Sequence, residues 1–112
     1  MLDLQQAIKQ AFYDIRLLDG TELHLKRPNQ AMIEYIVGLE SFLKDNKEVE
    51  AMNGFVEAFV SILNRNVEGV KFEADVVREE YDIAVMVIVI RDYFDYWNKD
   101  LMNRVDFQQS RQ

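Results

Sequence analysis

The spacing of hydrophobic residues changes once along the chain, near Pro28. Before it, apolar and polar residues alternate over 12–26, which predicts a β-hairpin. After it, apolar residues recur every three or four positions, which predicts helices over 28–45, 47–65, 73–80 and 82–104. Residues 1–11 are then an N-terminal extension and 105–112 a tail. The predicted fold class for this single domain is α+β, mainly α, with an N-terminal β-hairpin packed on a small bundle of three main helices plus one short helix.

The hairpin has two possible registers around the turn signal Asp19-Gly20. A two-residue turn would place Ile15 opposite His24 and mix apolar with polar side chains on one face. A three-residue loop over 18–20, with Gly20 at positive φ, places Ile15 opposite Leu23 instead. We prefer this loop, which also predicts the pairs Tyr13–Leu25, Asp14–His24 and Arg16–Glu22.

The last predicted helix has more apolar surface than one core needs. Asp82 is a suitable N-cap for it. The 3–4 spacing assigns one stripe to the core, namely Ile83, Val87, Ile90, Phe94, Trp97 and Leu101. The neighbouring stripe is predicted to bind a partner, together with Phe59 from the preceding helix; it consists of Met86, Val89, Tyr93 and Tyr96. The alternative is that the aromatic residues at 93, 94, 96 and 97 all belong to the core or to a subunit interface.

Composition and charge exclude several classes of partner. The 112 residues have a formal net charge of -7, divided almost evenly between a net -3 over 1–56 and a net -4 over 57–112. Lys26-Arg27 is the only adjacent basic pair, so no cluster suits a phosphate backbone and we predict no nucleic-acid binding. The longest apolar run is Ile83–Ile90, far below the roughly 20 residues that span a bilayer, so no membrane partner is predicted. With no Cys and no leader-like N-terminus, we expect a soluble protein of a reducing compartment.

The sequence contains no recognisable catalytic or metal-binding constellation. His24 is the only histidine, and we expect a solvated pair with Asp14 across the hairpin. The acidic stretch 73–82 matches no calcium loop, and Asp92 and Asp95 are expected to form a surface pair. Phosphate-loop, G-x-S-x-G and H-E-x-x-H motifs are absent. We therefore predict a non-enzymatic protein with no catalytic residues, no cofactor and no metal.

Three phrases of the sequence carry a resemblance to a known family. They are Leu-His-Leu-Lys-Arg-Pro at 23–28, Phe-Val-Glu-Ala-Phe-Val-Ser-Ile-Leu-Asn-Arg-Asn at 55–66, and Val-Ile-Arg-Asp-Tyr-Phe-Asp-Tyr-Trp at 89–97. Over residues 12–100 the chain resembles the tail assembly chaperones of long, non-contractile-tailed phages and prophages of Gram-positive bacteria. In that family a helix ending in Leu-Asn-Xaa-Asn precedes a Gly-containing loop and a final helix with an aromatic-rich end. The N-terminal residues depart from the pattern, since relatives often begin directly with the hairpin.

The resemblance implies a function in the host bacterial cytoplasm. Such chaperones coat the long, helical tape measure protein, keep it soluble, help to recruit tail tube subunits, and are absent from the mature virion. A longer, frameshifted form would serve the recruitment of the tail tube protein. Surplus apolar surface also predicts a homo-oligomer. The alternative function is an acidic DNA mimic, or another inhibitory or adaptor protein that binds a basic partner.

Overall fold

The fold is a two-stranded antiparallel hairpin followed by helices, which confirms the predicted α+β, mainly α class. The computed structural model describes residues 1–4, 12–44 and 48–109, and all of their side chains except those of 40–44, 48 and 100–109. The elements in chain order are β1 Tyr13–Arg16, β2 Glu22–Leu25, α1 Gln30–Lys44, α2 Glu48–Leu63, α3 Ala74–Glu80 and α4 Ile83–Gln109.

The hairpin has the register that the three-residue loop predicts. Ile15 lies opposite Leu23, and the other three predicted pairs are also present. Gly20 has a φ of +90°, and its N–H donates to the Leu17 carbonyl oxygen at 2.9 Å. A side chain would be strained at this φ, so glycine is the residue that allows the tight loop.

Asn29 and Asp82 cap the N-termini of α1 and α4. Asn29 Oδ1 accepts the Met32 N–H at 2.9 Å and caps α1. The prediction that Pro28 lies in the first helical turn is therefore wrong, because Pro28 precedes the cap. Asp82 Oδ1 accepts the Val85 N–H at 2.9 Å and caps α4, as predicted.

The ends of two helices differ from their predicted positions. α4 continues to Gln109, so the predicted tail is wrong for 105–109. The helix contains neither Gly nor Pro, and nothing in its sequence interrupts it at 104. α2 ends at Leu63 rather than at 65, because 64–66 turn toward the hairpin. The parts of the predicted extension, helix ends and tail that fall at 5–11, 45–47 and 110–112 lie outside the described residues.

The core forms around α2, which packs against α1, α3 and α4. Its residues Phe59, Ile62 and Leu63 are fully buried. Leu23 and Leu25 of β2 are also fully buried, so the inner face of the hairpin completes this core. Burial of each such side chain stabilises the fold by about 1.5–3 kcal/mol.

The loop after α2 pairs with the free edge of β2. Asn66 forms an antiparallel bridge with Leu25, the Lys26 N–H donates to the Arg65 carbonyl at 3.0 Å, and the Val67 N–H donates to the His24 carbonyl at 3.0 Å. These bonds satisfy backbone groups of an edge strand that would otherwise be open. The loop therefore takes the place of a third strand.

Two asparagine side chains close this loop. The buried Asn66 amide donates from Nδ2 to the Leu63 and Val70 carbonyls, both at 2.7 Å, and its Oδ1 accepts the Val70 N–H at 2.9 Å. Asn64 makes a similar two-way contact with the Phe72 backbone, at 2.7 and 3.1 Å, but is exposed. Each carboxamide therefore bonds backbone groups on the far side of the loop.

We predict that Asn66→Asp lowers the free energy of unfolding by at least about 1–3 kcal/mol. The carboxylate cannot donate to the Leu63 and Val70 carbonyls, and it places a charge where the side chain is buried. The matched variant Asn64→Asp loses one donor at an exposed site and should cost less. Urea unfolding of both variants checks the order, and equal losses would contradict it.

α1 and α2 approach closely at Gly54. A Cβ built on Gly54 would lie 2.1 Å from Cδ2 of Leu39, a side chain that is itself buried in this interface. Gly38 lies in the middle of α1 and has open space around the same position. The two helical glycines therefore have opposite roles, since only Gly54 is required by packing.

We predict that Gly54→Val destabilises the protein by about 1–3 kcal/mol through overpacking. Gly38→Ala should instead stabilise it by up to about 1 kcal/mol, because alanine favours the helix and meets no neighbour. Thermal unfolding of both variants measures the two effects. A stabilising Gly54→Val would show that the helices separate freely at this point.

Candidate partner-binding surface

The stripe predicted to bind a partner is mostly buried. Met86 is 2% exposed, and Tyr93 and Phe59 are each 0% exposed. The prediction that these three side chains form an open surface is wrong, because they pack inside the core. Val89 is half-buried and packs against the core, while Tyr96 remains 38% exposed.

The core face of α4 consists of Met86, Ile90, Tyr93 and Trp97. The prediction of a core position is confirmed for Ile90 and Trp97. The other described members of the predicted stripe, Ile83, Val87 and Phe94, are only partly buried, so the core face is rotated relative to that stripe. Leu101 lies outside the described side chains. Apolar residues surround the first two turns of α4, so periodicity alone does not fix which side faces inward.

The inward side of α4 makes several contacts with the hairpin. The Tyr93 hydroxyl donates to the Lys26 carbonyl just after β2, and the Tyr13 hydroxyl donates to the Asp92 carboxylate. Tyr13 packs edge-to-face on Tyr93, with ring centroids 5.4 Å apart, and on Tyr96, at 5.5 Å. The aromatic residues therefore attach the hairpin to α4.

Burial changes the acidity of both tyrosines. Desolvation raises the pKa of Tyr93 to about 12, with the nearby Arg65 acting in the opposite direction. Desolvation and the bonded Asp92 carboxylate raise the pKa of Tyr13 well above its usual range. Both hydroxyls therefore stay protonated and act as hydrogen-bond donors rather than as general bases.

Arg27 and Arg65 cover the end of this cluster. The Arg27 guanidinium lies over the Trp97 ring, 5.2 Å from its centroid, and Arg65 Nε donates to the Arg27 carbonyl at 2.6 Å. These cations stabilise internal contacts near the loop after α2. Of the basic pair, Arg27 is thus part of the fold's internal bonding through its side chain, and Lys26 through its backbone.

The pair of His24 and Asp14 is present across the hairpin, and a second partner was missed. Nε2 of His24 lies 3.6 Å from Asp14 Oδ1, whereas Nδ1 lies 2.6 Å from Glu68 Oε2. The other Glu68 oxygen accepts the His24 backbone N–H at 3.0 Å. Glu68 comes from the loop after α2, 44 residues away in sequence, so only the fold brings it to the hairpin.

The acidic residues of 73–82 do not converge on a metal site. Glu73, Asp75, Glu79, Glu80 and Asp82 are all exposed. In the part of the chain that the structure describes, no group of three or more potential ligands could hold a metal ion. Asp92 bonds Tyr13, while Asp95 faces the surface.

An open groove runs between α1 and α2 on the outer side of the helix pair. Its volume is about 350 Å³. Small or apolar side chains form most of its lining, and Glu57 supplies the one charge among them. The lining residues are Asn29, Ala31, Met32, Tyr35, Ile36, Glu57, Ala58 and Ser61.

A second groove, of about 320 Å³, lies between α1 and α4. These two helices have little direct contact because α2 lies between them in the packing. Ile33 and Val37 line one side, and Val37 is 64% exposed. Phe94 and Trp97 line the other side, and Asp95 lies at the edge.

Neither groove was predicted from the sequence, because a 3–4 apolar spacing indicates that a helix has a buried face but not how completely its neighbours cover it. One signal for the first groove was available in the sequence. Between Asn29 and Asn64 the only basic residues are Lys44 and Lys47, at the turn between the helices. A helix pair with no basic residue before the end of its first helix, and none within its second, is unusual for a purely solvated face.

Comparisons with known proteins leave the family unidentified, since neither protein-family models nor curated proteins nor solved structures gave a match. No helix among the described residues has the length and apolar character needed to cross a bilayer.

We predict that His24 gives the protein a pH-dependent stability. The hydrogen bond to Glu68, and then the Asp14 charge, raise the His24 pKa above its ordinary 6.5. Protonated His24 thus stabilises the folded state at pH values below the unfolded pKa, and this contribution is lost as pH rises through the folded pKa. Urea unfolding between about pH 6 and 9 should show wild type losing stability relative to His24→Gln.

The partner carboxylate, Glu68, gives a second pH dependence of stability, at acidic pH. Its pKa is lowered by hydrogen bonds from the His24 side chain and backbone. The stability that it contributes is present above its unfolded pKa and is lost as pH falls through the lower folded value. Parallel stability curves for wild type and His24→Gln from neutral to alkaline pH would contradict the His24 assignment.

Proposed function

We propose that this chain is a non-enzymatic tail assembly chaperone that binds the tape measure protein of a long-tailed phage or prophage and keeps it soluble. The observation that carries the proposal is the incomplete cover of α1. Among its described side chains only Leu39 is fully buried, and open grooves lie on both flanks. A helix left apolar on two sides favours a binding role over a solely structural one.

The two grooves match what a helix-binding chaperone needs. An amphipathic helix binds by placing apolar side chains in a groove, and methionine adapts to different partners. Met32 and Ile36 offer such a surface on one flank of α1, and Ile33 and Val37 offer it on the other. Covering the apolar stripe of an unassembled helix in this way would prevent its aggregation.

An acidic inhibitor remains the alternative function. It would bind a basic partner through the exposed carboxylates of 73–82 rather than through apolar grooves. The two functions predict different partners and different surfaces. Binding to a DNA-binding protein with no effect on a tape measure protein would favour the inhibitor.

The test is co-expression with the tape measure protein of the same phage or prophage. We expect the tape measure protein to move from the insoluble to the soluble fraction and to co-purify with this chain. The matched variant is Val37→Glu, which places a charge at an exposed position of a proposed binding groove without touching the core, and it should leave less of the tape measure protein in the soluble fraction. A tape measure protein that stays insoluble beside folded wild-type chain would contradict the proposed function.

A further inference from the structure

The α1–α2 groove has carboxylates beside it and no described cation along it. Glu57 lines the groove, and Glu50 lies seven residues earlier on α2. Seven residues are nearly two helical turns, so both carboxylates lie on one stripe, about 10 Å apart along the axis. Within the described residues neither side chain makes an ion pair.

Among the described side chains, no ion pair neutralises this stripe. Arg78 of α3 reaches α2 at Asn53, where its Nη2 lies 3.3 Å from the Asn53 Oδ1. Inside the groove, Tyr35 is close enough to Glu57 for the carboxylate charge to contribute to its raised pKa, after the larger effect of burial. An incoming cation would therefore find Glu57 beside a protonated phenol and no competing charge in the lining.

The shape of the groove suits a helix. Ala31, Ala58 and Ser61 are small, so they let another backbone approach closely. Met32 and Ile36 provide apolar contact between them. The groove thus combines an apolar floor with the Glu57 carboxylate in its lining, and Glu50 lies farther along the same stripe of α2.

We propose that the α1–α2 groove binds a basic amphipathic helix, one with an apolar stripe and Lys or Arg residues about two turns apart that pair with Glu50 and Glu57. This inference rests on the proposed function and takes that helix to be a segment of the tape measure protein. The α1–α4 groove lacks the same selectivity, because Arg91 and Lys99 stand one turn on either side of Asp95.

The test uses overlapping synthetic peptides of about 25 residues that tile the tape measure protein, a length that allows several helical turns. We expect wild type to bind peptides of the stated pattern, with affinity falling as salt rises. Glu50→Lys with Glu57→Lys should weaken binding by about tenfold or more, since two attractive pairs become repulsive. Ser61→Trp, at an exposed position, should weaken the same peptides by filling the groove.

The matched control is Glu79→Lys with Glu80→Lys, which makes the same change in net charge on the exposed face of α3. We expect it to change the affinity by less than about threefold, because salt screens exposed charges that lie far from the groove. Equal loss in both double variants would overturn the groove assignment, because net charge alone would then explain binding. Circular dichroism and thermal unfolding establish that each variant is folded.

Failure of this inference differs from failure of the proposed function. If wild type keeps the tape measure protein soluble and the groove variants do so equally well, the groove is wrong and the function stands. If wild type binds no tape measure peptide and gives no soluble complex, the function fails as well. If Ser61→Trp changes only the oligomeric state in sedimentation, a second copy occupies the groove and the inference is overturned.

Discussion

The buried carboxamide of Asn66 joins the two halves of the fold. It bonds the last turn of α2 to the returning loop at Val70, and its backbone forms a bridge with Leu25. The Asn66 side chain makes three hydrogen bonds, to the Leu63 carbonyl and to the Val70 carbonyl and N–H. Because the side chain is buried, loss of any of these partners would leave a polar group without a hydrogen bond. This side chain therefore holds the shape of the loop that pairs with β2 and leads toward α3.

The hairpin was predictable in detail because its constraints are local. Its strands alternate apolar and polar residues, and cross-strand partners share a face of the sheet. With Gly20 at the turn, the three-residue loop is the register that keeps the apolar residues together and places Ile15 opposite Leu23. The inward side of α4 was not predictable in the same way. Its first two turns are apolar on all sides, and the contacts that distinguish the inward side, such as the bond from the Tyr93 hydroxyl to the Lys26 carbonyl, join residues 67 positions apart in sequence.

This choice changes where a partner can bind. Tyr93 and Trp97 bury their rings between α4, the hairpin and Arg27, so the aromatic end of α4 is used inside the molecule. Exposed apolar surface is found on α1 as well, at Val37 and Tyr35, while Ile88 and Tyr96 leave some on α4. Sequence reasoning detected a surplus but assigned it to the most aromatic helix, because single-helix patterns do not reveal which helix lacks a neighbour.

The phrase at 55–66 shows how one helix can serve both folding and binding. Phe59, Ile62 and Leu63 face the core, and Asn64 and Asn66 close the following loop. On the other side of the same helix, the exposed Glu57 and Ser61 line the open groove beside α1. Since a helix repeats every 3.6 residues, both faces are encoded in the same dozen positions. Substitutions in this phrase therefore have to be sorted by helix face before any loss of binding is interpreted, because neighbours in sequence here act on opposite sides of α2.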